Sequence, residues 1–174
     1  MQNTELLIAQ GNTFREQHQP ELALQQYMHA MGRDRYSASA FNNYGNVLRE
    51  LGDPEGAIPF NQRAVQLDPA TVTNHFNLAV AYLMSGDYAQ GWPAYEARHN
   101  FEHLKGTLPE YPWPVWNSED LQGKSIFVRG EQGHGDIIQF VRFVQNLKNI
   151  GAAVTIQVTD AMVSLIQSSG VGQG

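Results

Sequence analysis

The sequence predicts a mainly α-helical protein, a solenoid of three helical hairpins over residues 4–105 followed by a small α/β unit over 124–174. Three observations predict it. Small and bulky side chains recur at an offset of 34 residues through the first hundred positions. Gly-Asp and Asp-Pro pairs punctuate the same stretch. Beyond Gly123 the helical period gives way to a strand, a glycine-rich turn, a helix and a second strand.

The repeat is visible column by column. Gly11, Gly45 and Ala79 share one position, and Phe14, Leu48 and Tyr82 the next. Ala23, Ala57 and Gly91 form a third column, Tyr27, Asn61 and Tyr95 a fourth, and Ala30, Ala64 and Arg98 a fifth. A small residue on one helix lets its partner approach closely, and a bulky one beside it fills the remaining space, so the alternation describes paired helices. Gly52-Asp53 and Gly86-Asp87 supply the turn inside a hairpin, glycine ending the first helix and aspartate capping the second. Asp68-Pro69 ends the second hairpin, because proline cannot continue a helix and restricts the residue before it.

On these columns the chain resembles the tetratricopeptide repeat family, with the repeats falling at 4–37, 38–71 and 72–105. The second is nearest the family pattern. The first departs at His18-Gln19-Pro20 and Arg35, and the third at Gly91 and Arg98, so the last helix is expected to pack against something other than another repeat. The resemblance implies a stack whose first helices line a concave face that holds a peptide or protein.

The polar positions of those first helices are then the candidate binding residues. Asn43 and Asn77 are one repeat apart, Asn12 and Asn46 share a second column, and Arg15 and Arg49 a third. A carboxamide both donates and accepts, so a ladder of asparagines can grip an extended backbone, while arginine adds charge-assisted bonds to acidic groups. The arrangement is similar to the asparagine ladder of O-linked N-acetylglucosamine transferases, with two rungs. The alternative is that these asparagines cap turns or face water. Thr73 and Asn77 stand where the family's clamps for a terminal carboxylate carry basic residues, which argues against that ligand.

Between 106 and 123 the helical period disappears, and Pro109, Pro112, Pro114, Trp113 and Trp116 mark an ordered connector whose rings either wedge neighbouring segments together or stack on a sugar. His99 and His103 have a spacing that suits two metal ligands, but no third is apparent and no metal is expected. Ser125 to Arg129 reads as a strand, Ile137 to Ile150 as an amphipathic helix, Ala153 to Val158 as a second strand and Ala161 to Gln167 as a closing helix, the start of a doubly wound parallel sheet. Ligands of such sheets sit at the carboxyl ends of strands, which directs attention to Gly130, Glu131, Gln132, Gly133, His134, Gly135 and Asp136. The loop lacks the third glycine of a dinucleotide fingerprint and the lysine of a P-loop, and Asp136 opposes phosphate at the helix start, so no cofactor is expected.

A second resemblance covers Trp92-Pro93-Ala94-Tyr95-Glu96-Ala97-Arg98, Pro114-Val115-Trp116, Leu121-Gln122-Gly123-Lys124 and Glu131 through Phe140. These stretches look like bacterial proteins that join tetratricopeptide repeats to a two-domain glycosyltransferase-like enzyme related to heptosyltransferases. The resemblance implies a Rossmann-like fragment, a nucleotide-sugar used by a longer parent, and Asp136 or His134 near the acceptor hydroxyl as a base. The competing reading has Asp136 capping the helix while Gly133 and Gly135 permit the turn. Two parallel strands alone leave unpaired edges, so the unit is expected to pair with another copy or belong to a longer chain, and catalysis by this chain alone is not expected.

Composition narrows the partners. With 11 Lys and Arg against 17 Asp and Glu, net charge -6, the chain is a poor match for nucleic acid, which needs clustered cations. It has no Cys, which removes disulfides and thiolate zinc sites and fits a reducing compartment. No apolar run approaches the length of a signal core or a membrane span, so the expected location is the cytoplasm, with no membrane partner.

Overall fold

The structure is a computed structural model that describes residues 3–102, 111–130 and 133–171. It divides into two compact units, residues 1–110 and 111–174.

The first unit is three helical hairpins: α1 (Thr4–Glu16) with α2 (Pro20–Arg33), α3 (Ala38–Glu50) with α4 (Pro54–Leu67), and α5 (Val72–Ser85) with α6 (Tyr88–Tyr95). Each start has a local cause. Asn3, Ser37, Asp53 and Asp87 accept backbone N–H bonds at the N-termini of α1, α3, α4 and α6. Pro20 and Pro54 occupy first-turn positions of α2 and α4, where a missing N–H costs nothing. The turns inside the hairpins share one backbone device, a left-handed residue at Gly52 (φ 85°) and Gly86 (φ 84°), with His18 (φ 57°) as its counterpart in the first hairpin.

Packing follows the repeat columns. Leu7, Ala30 and Ala40 form one buried cluster, and Ala23, Tyr27 and Val47 a second, so each core bridges from the first hairpin into the second. A Cβ on Gly11 would lie 2.5 Å from the Tyr27 ring, and one on Gly91 2.6 Å from Leu83. These glycines are therefore the places where paired helices touch. The last hairpin departs from the first two: α6 is eight residues long, carries Pro93, and passes into a 3-10 turn at Glu96–Asn100. Phe76, Tyr95 and Phe101 stack at that end, with ring centroids 5.4 Å apart in both pairs.

The second unit holds two parallel strands, β1 (Ser125–Arg129) and β2 (Ala153–Gln157), in a register that places Phe127 beside Thr155. The connection expected as one helix from Ile137 to Ile150 is broken into α7 (His134–Phe140), a 3-10 turn at Val141–Phe143 and α8 (Val144–Asn149). β-Branched and aromatic residues crowd that middle section, which weakens the helix there. α9 (Asp160–Ser168) follows, and Ile137, Met162 and Ile166 form the core of the unit against Ile156 and Val158.

Candidate peptide-binding face

The first helices of the hairpins, α1, α3 and α5, are joined side by side through their polar residues. Asn43 Nδ2 donates to Asn12 Oδ1 at 3.0 Å, and the Tyr27 hydroxyl donates to the same oxygen at 2.7 Å. One step along, Asn77 Nδ2 donates to Asn42 Oδ1 at 3.0 Å. Arg15 Nε donates to both Glu50 oxygens at 3.0 Å, and its Nη2 also donates to Glu50 Oε1. Arg49 Nη1 reaches only the Met84 sulfur, at 4.0 Å. All of these contacts except that of Tyr27, which lies on α2, link a first helix to the next first helix, so the polar columns of the sequence share one face.

Six candidate residues lie on this face, in different settings. Asn12 is exposed and Asn43 half-buried, and both line a cleft of about 680 Å³ with Arg15, Glu16, His18 and Glu50. Asn46 and Asn77 are buried, at 5% and 7% exposure, so neither stands open to solvent, and Asn77 ties α5 to α3 through Asn42. Among the described residues Asn46 Oδ1 has no hydrogen-bond partner. Burial of Tyr27 against Gly11 pushes its phenol up to about 12, because the phenolate would lose its water. The hydrogen bond to Glu50 raises the Arg15 pKa, whereas burial lowers that of Arg49, whose Nε is enclosed without an acceptor.

Four members of this network, Tyr27, Asn42, Glu50 and Met84, are not among the polar columns of the sequence. Asn42 and Glu50 each sit beside a residue that was singled out, and Tyr27 was assigned to the core alone. The signal for Glu50 lies in the pairing distance: Arg15 to Glu50, Arg49 to Met84 and Asn42 to Asn77 are all 35 residues apart, one more than the repeat. A search at the repeat offset finds equivalent residues, and a search one residue beyond it finds these three partners; the Asn12–Asn43 pair, 31 residues apart, follows a different spacing.

In the second unit the candidate loop sits at the carboxyl end of β1. Gly130 N donates to Gln157 O at 2.9 Å, and a Cβ on Gly130 would meet the end of the Ile137 side chain at 2.9 Å, so the two elements approach closely here. Gly133 has φ -63°, and neither it nor Gly135 has a positive φ; neither position needs glycine for its backbone angle. Asp136 is not the helix cap either, since Gly133 holds that position and Asp136 lies in the first turn. His134 Nε2 is 3.2 Å from Thr159 Oγ1, at the start of α9. Glu131 and Gln132 lie outside the described residues, as do His103 and Pro109. Trp113 stacks on Tyr111 and Phe127, and Trp116 Nε1 donates to Glu119 O at 2.9 Å, contacts that wedge the connector onto its own unit. Among the described residues no cluster of three or more His, Cys, Asp or Glu side chains is placed to hold a metal.

The fold and this face define a helical-hairpin repeat protein with a polar face along its first helices. Residues 38–71 match the family model of the tetratricopeptide repeat, so the chain carries that repeat at its second hairpin and the corresponding fold around it. Solved structures agree on the fold. The second tetratricopeptide unit of Spaghetti (RPAP3), bound to the HSP90 peptide SRMEEVD, aligns with TM-score 0.53 at 19% identity, over 55% of this chain and 89% of its own. The first unit of the same protein, bound to the same peptide, gives 0.55 at 19% identity, over 57% of this chain and 81% of its own. MamA gives 0.53 at 24% identity, over 58% of this chain and 59% of its own. Among curated proteins, Protein FlbA of Caulobacter vibrioides is 24% identical over 172 residues, covering 76% of this chain but 28% of the relative. The chain thus spans little more than a quarter of that protein's length.

No helix among the described residues is long and apolar enough to cross a membrane.

Proposed function

We propose that the helical-repeat unit is a protein-interaction module that holds an extended peptide segment along the face of α1, α3 and α5. The observation that carries this reading is the Asn12–Asn43 pair, whose hydrogen bond spans two successive first helices at the wall of an open cleft. Asn12 spends its carbonyl oxygen on Tyr27 and Asn43, which leaves its amide donors for a ligand; Asn43 keeps its carbonyl oxygen as an acceptor. One donor and one acceptor at adjacent positions match the N–H and C=O of an extended backbone, which gives affinity without strict sequence reading. Repeat units of similar fold that are bound to a peptide support peptide binding as the role of this unit. The test is a peptide array probed with the wild-type chain and with Asn12→Ala plus Asn43→Ala. Loss of most bound spots is expected, and an unchanged pattern ends the reading.

A second reading concerns the unit after the repeats. We infer that it is the opening of a glycosyltransferase-like, Rossmann-like domain in a longer cytoplasmic parent that uses a nucleotide-sugar, with a second copy able to pair at the open sheet edge. Its support is the parallel pairing of β1 and β2, with α7 and α9 both starting at the carboxyl ends of the strands. Asp136→Asn in a longer protein tests it by sugar transfer: wild-type turnover removes Asp136 as a base.

A further inference from the structure

The internal ion pair of the first two hairpins is not repeated between the second and third. Arg15 on α1 forks onto Glu50 on α3. Arg49 is the next arginine of the same column, and the residue that stands to it as Glu50 stands to Arg15 is Met84. The thioether offers a weak acceptor 4.0 Å from Arg49 Nη1, and Arg49 Nε is enclosed with no acceptor at all. One turn earlier on the same helix, Asn46 is buried with Oδ1 unmatched. A guanidinium carries five donors and cannot discharge itself by losing a proton, so a half-buried one to which no carboxylate is hydrogen-bonded keeps donors for a ligand.

We propose that Arg49 selects an acidic side chain in the bound segment, so that the ligand of this face is a peptide with Asp or Glu at the position lying across α3 and α5. This rests on the groove reading above and names its specificity. The bound carboxylate accepts from the Nη side of the guanidinium, beside Met84, in a charge-assisted bond of the kind Arg15 makes to Glu50 one repeat earlier. The Arg15 site cannot serve this purpose, because its fork is filled from within the protein. Selection is therefore for one acidic side chain at one register, independent of the peptide's terminal carboxylate. Met84, itself 53% exposed, borders the site and can be changed without disturbing the core.

The experiment is a selection from a display library of random dodecapeptides tethered through their C-termini, so that only side-chain carboxylates are offered. The best binder is then measured by fluorescence polarisation. Wild-type protein is expected to enrich Asp or Glu at one register, and Asn or Gln at that register to weaken binding by about tenfold or more. Arg49→Met is expected to lose the same factor and to become indifferent to the peptide's acid. Met84→Glu, which rebuilds the internal pair, is expected to do likewise while raising the thermal midpoint. Enriched peptides with no acidic preference, or equal acid preference in Arg49→Met, overturn the proposal and leave the groove reading standing. Enrichment of no peptide at all overturns both.

Discussion

The Asn61 Oδ1 atom lies 1.7 Å from the point where a Cβ on Gly45 would sit. Asn61 is fully buried, and neither of its amide atoms has a hydrogen-bond partner. It occupies the column that Tyr27 fills in the first hairpin, so the second hairpin closes over the same glycine position with a smaller, polar group. Gly45→Ala is therefore expected to destabilise the repeat unit by about 1–3 kcal/mol, although alanine is the better helix former by about 1 kcal/mol. Because the severe overlap is with one side chain, and the Ala57 carbonyl oxygen at 3.2 Å is only tight, adding Asn61→Ala is expected to recover part of the loss. Urea denaturation of the single and double variants checks both, and a harmless Gly45→Ala contradicts the packing described.

His18 carries the left-handed turn that glycine carries in the second and third hairpins. A side chain in that region costs about 1 kcal/mol or more, which glycine avoids. His18→Gly is expected to raise stability by about 1 kcal/mol, read as a higher thermal midpoint. Gly52→Ala, the converse change, is expected to lower it by a similar amount.

Tyr27 gives the fold a defined alkaline limit. Burial pushes its phenol up to about 12, while the unfolded chain titrates near 10. The folded state thus holds the proton more tightly, so Tyr27's contribution is complete below about pH 10 and drains away as pH rises towards about 12. Unfolding free energy measured across that range is expected to fall for the wild type. Tyr27→Phe is expected to start lower, having lost its bond to Asn12, and to fall less steeply.

The repeat was legible because its signal is steric and periodic: Gly11, Gly45 and Gly91 stand where helices meet, and a register of small residues survives when other positions drift. The strands of the second unit were legible for a similar reason, as short β-branched runs. The break in the helix after Phe140 was not, since the apolar period continues through it while local propensity fails. At the site, residue type and column picked out Asn12, Asn43 and Arg49, but column membership does not say whether a side chain is open or already engaged. Arg15 and Arg49 look equivalent in sequence and differ only through Glu50 and Met84, which lie on the neighbouring helix. The close approach of Gly130 to Ile137 was equally hidden, because no turn signature marks it.

The central claim is that the face of α1, α3 and α5 receives an extended peptide. It is tested most directly by following the side-chain amide signals of Asn12 and Asn43 by NMR as a selected peptide is added to the isotope-labelled protein. Both signals are expected to shift in step with binding, and Asn12→Ala plus Asn43→Ala to weaken it by about tenfold. Saturable binding that leaves both amides unmoved, with the shifts confined to α2 and α4, would contradict the account.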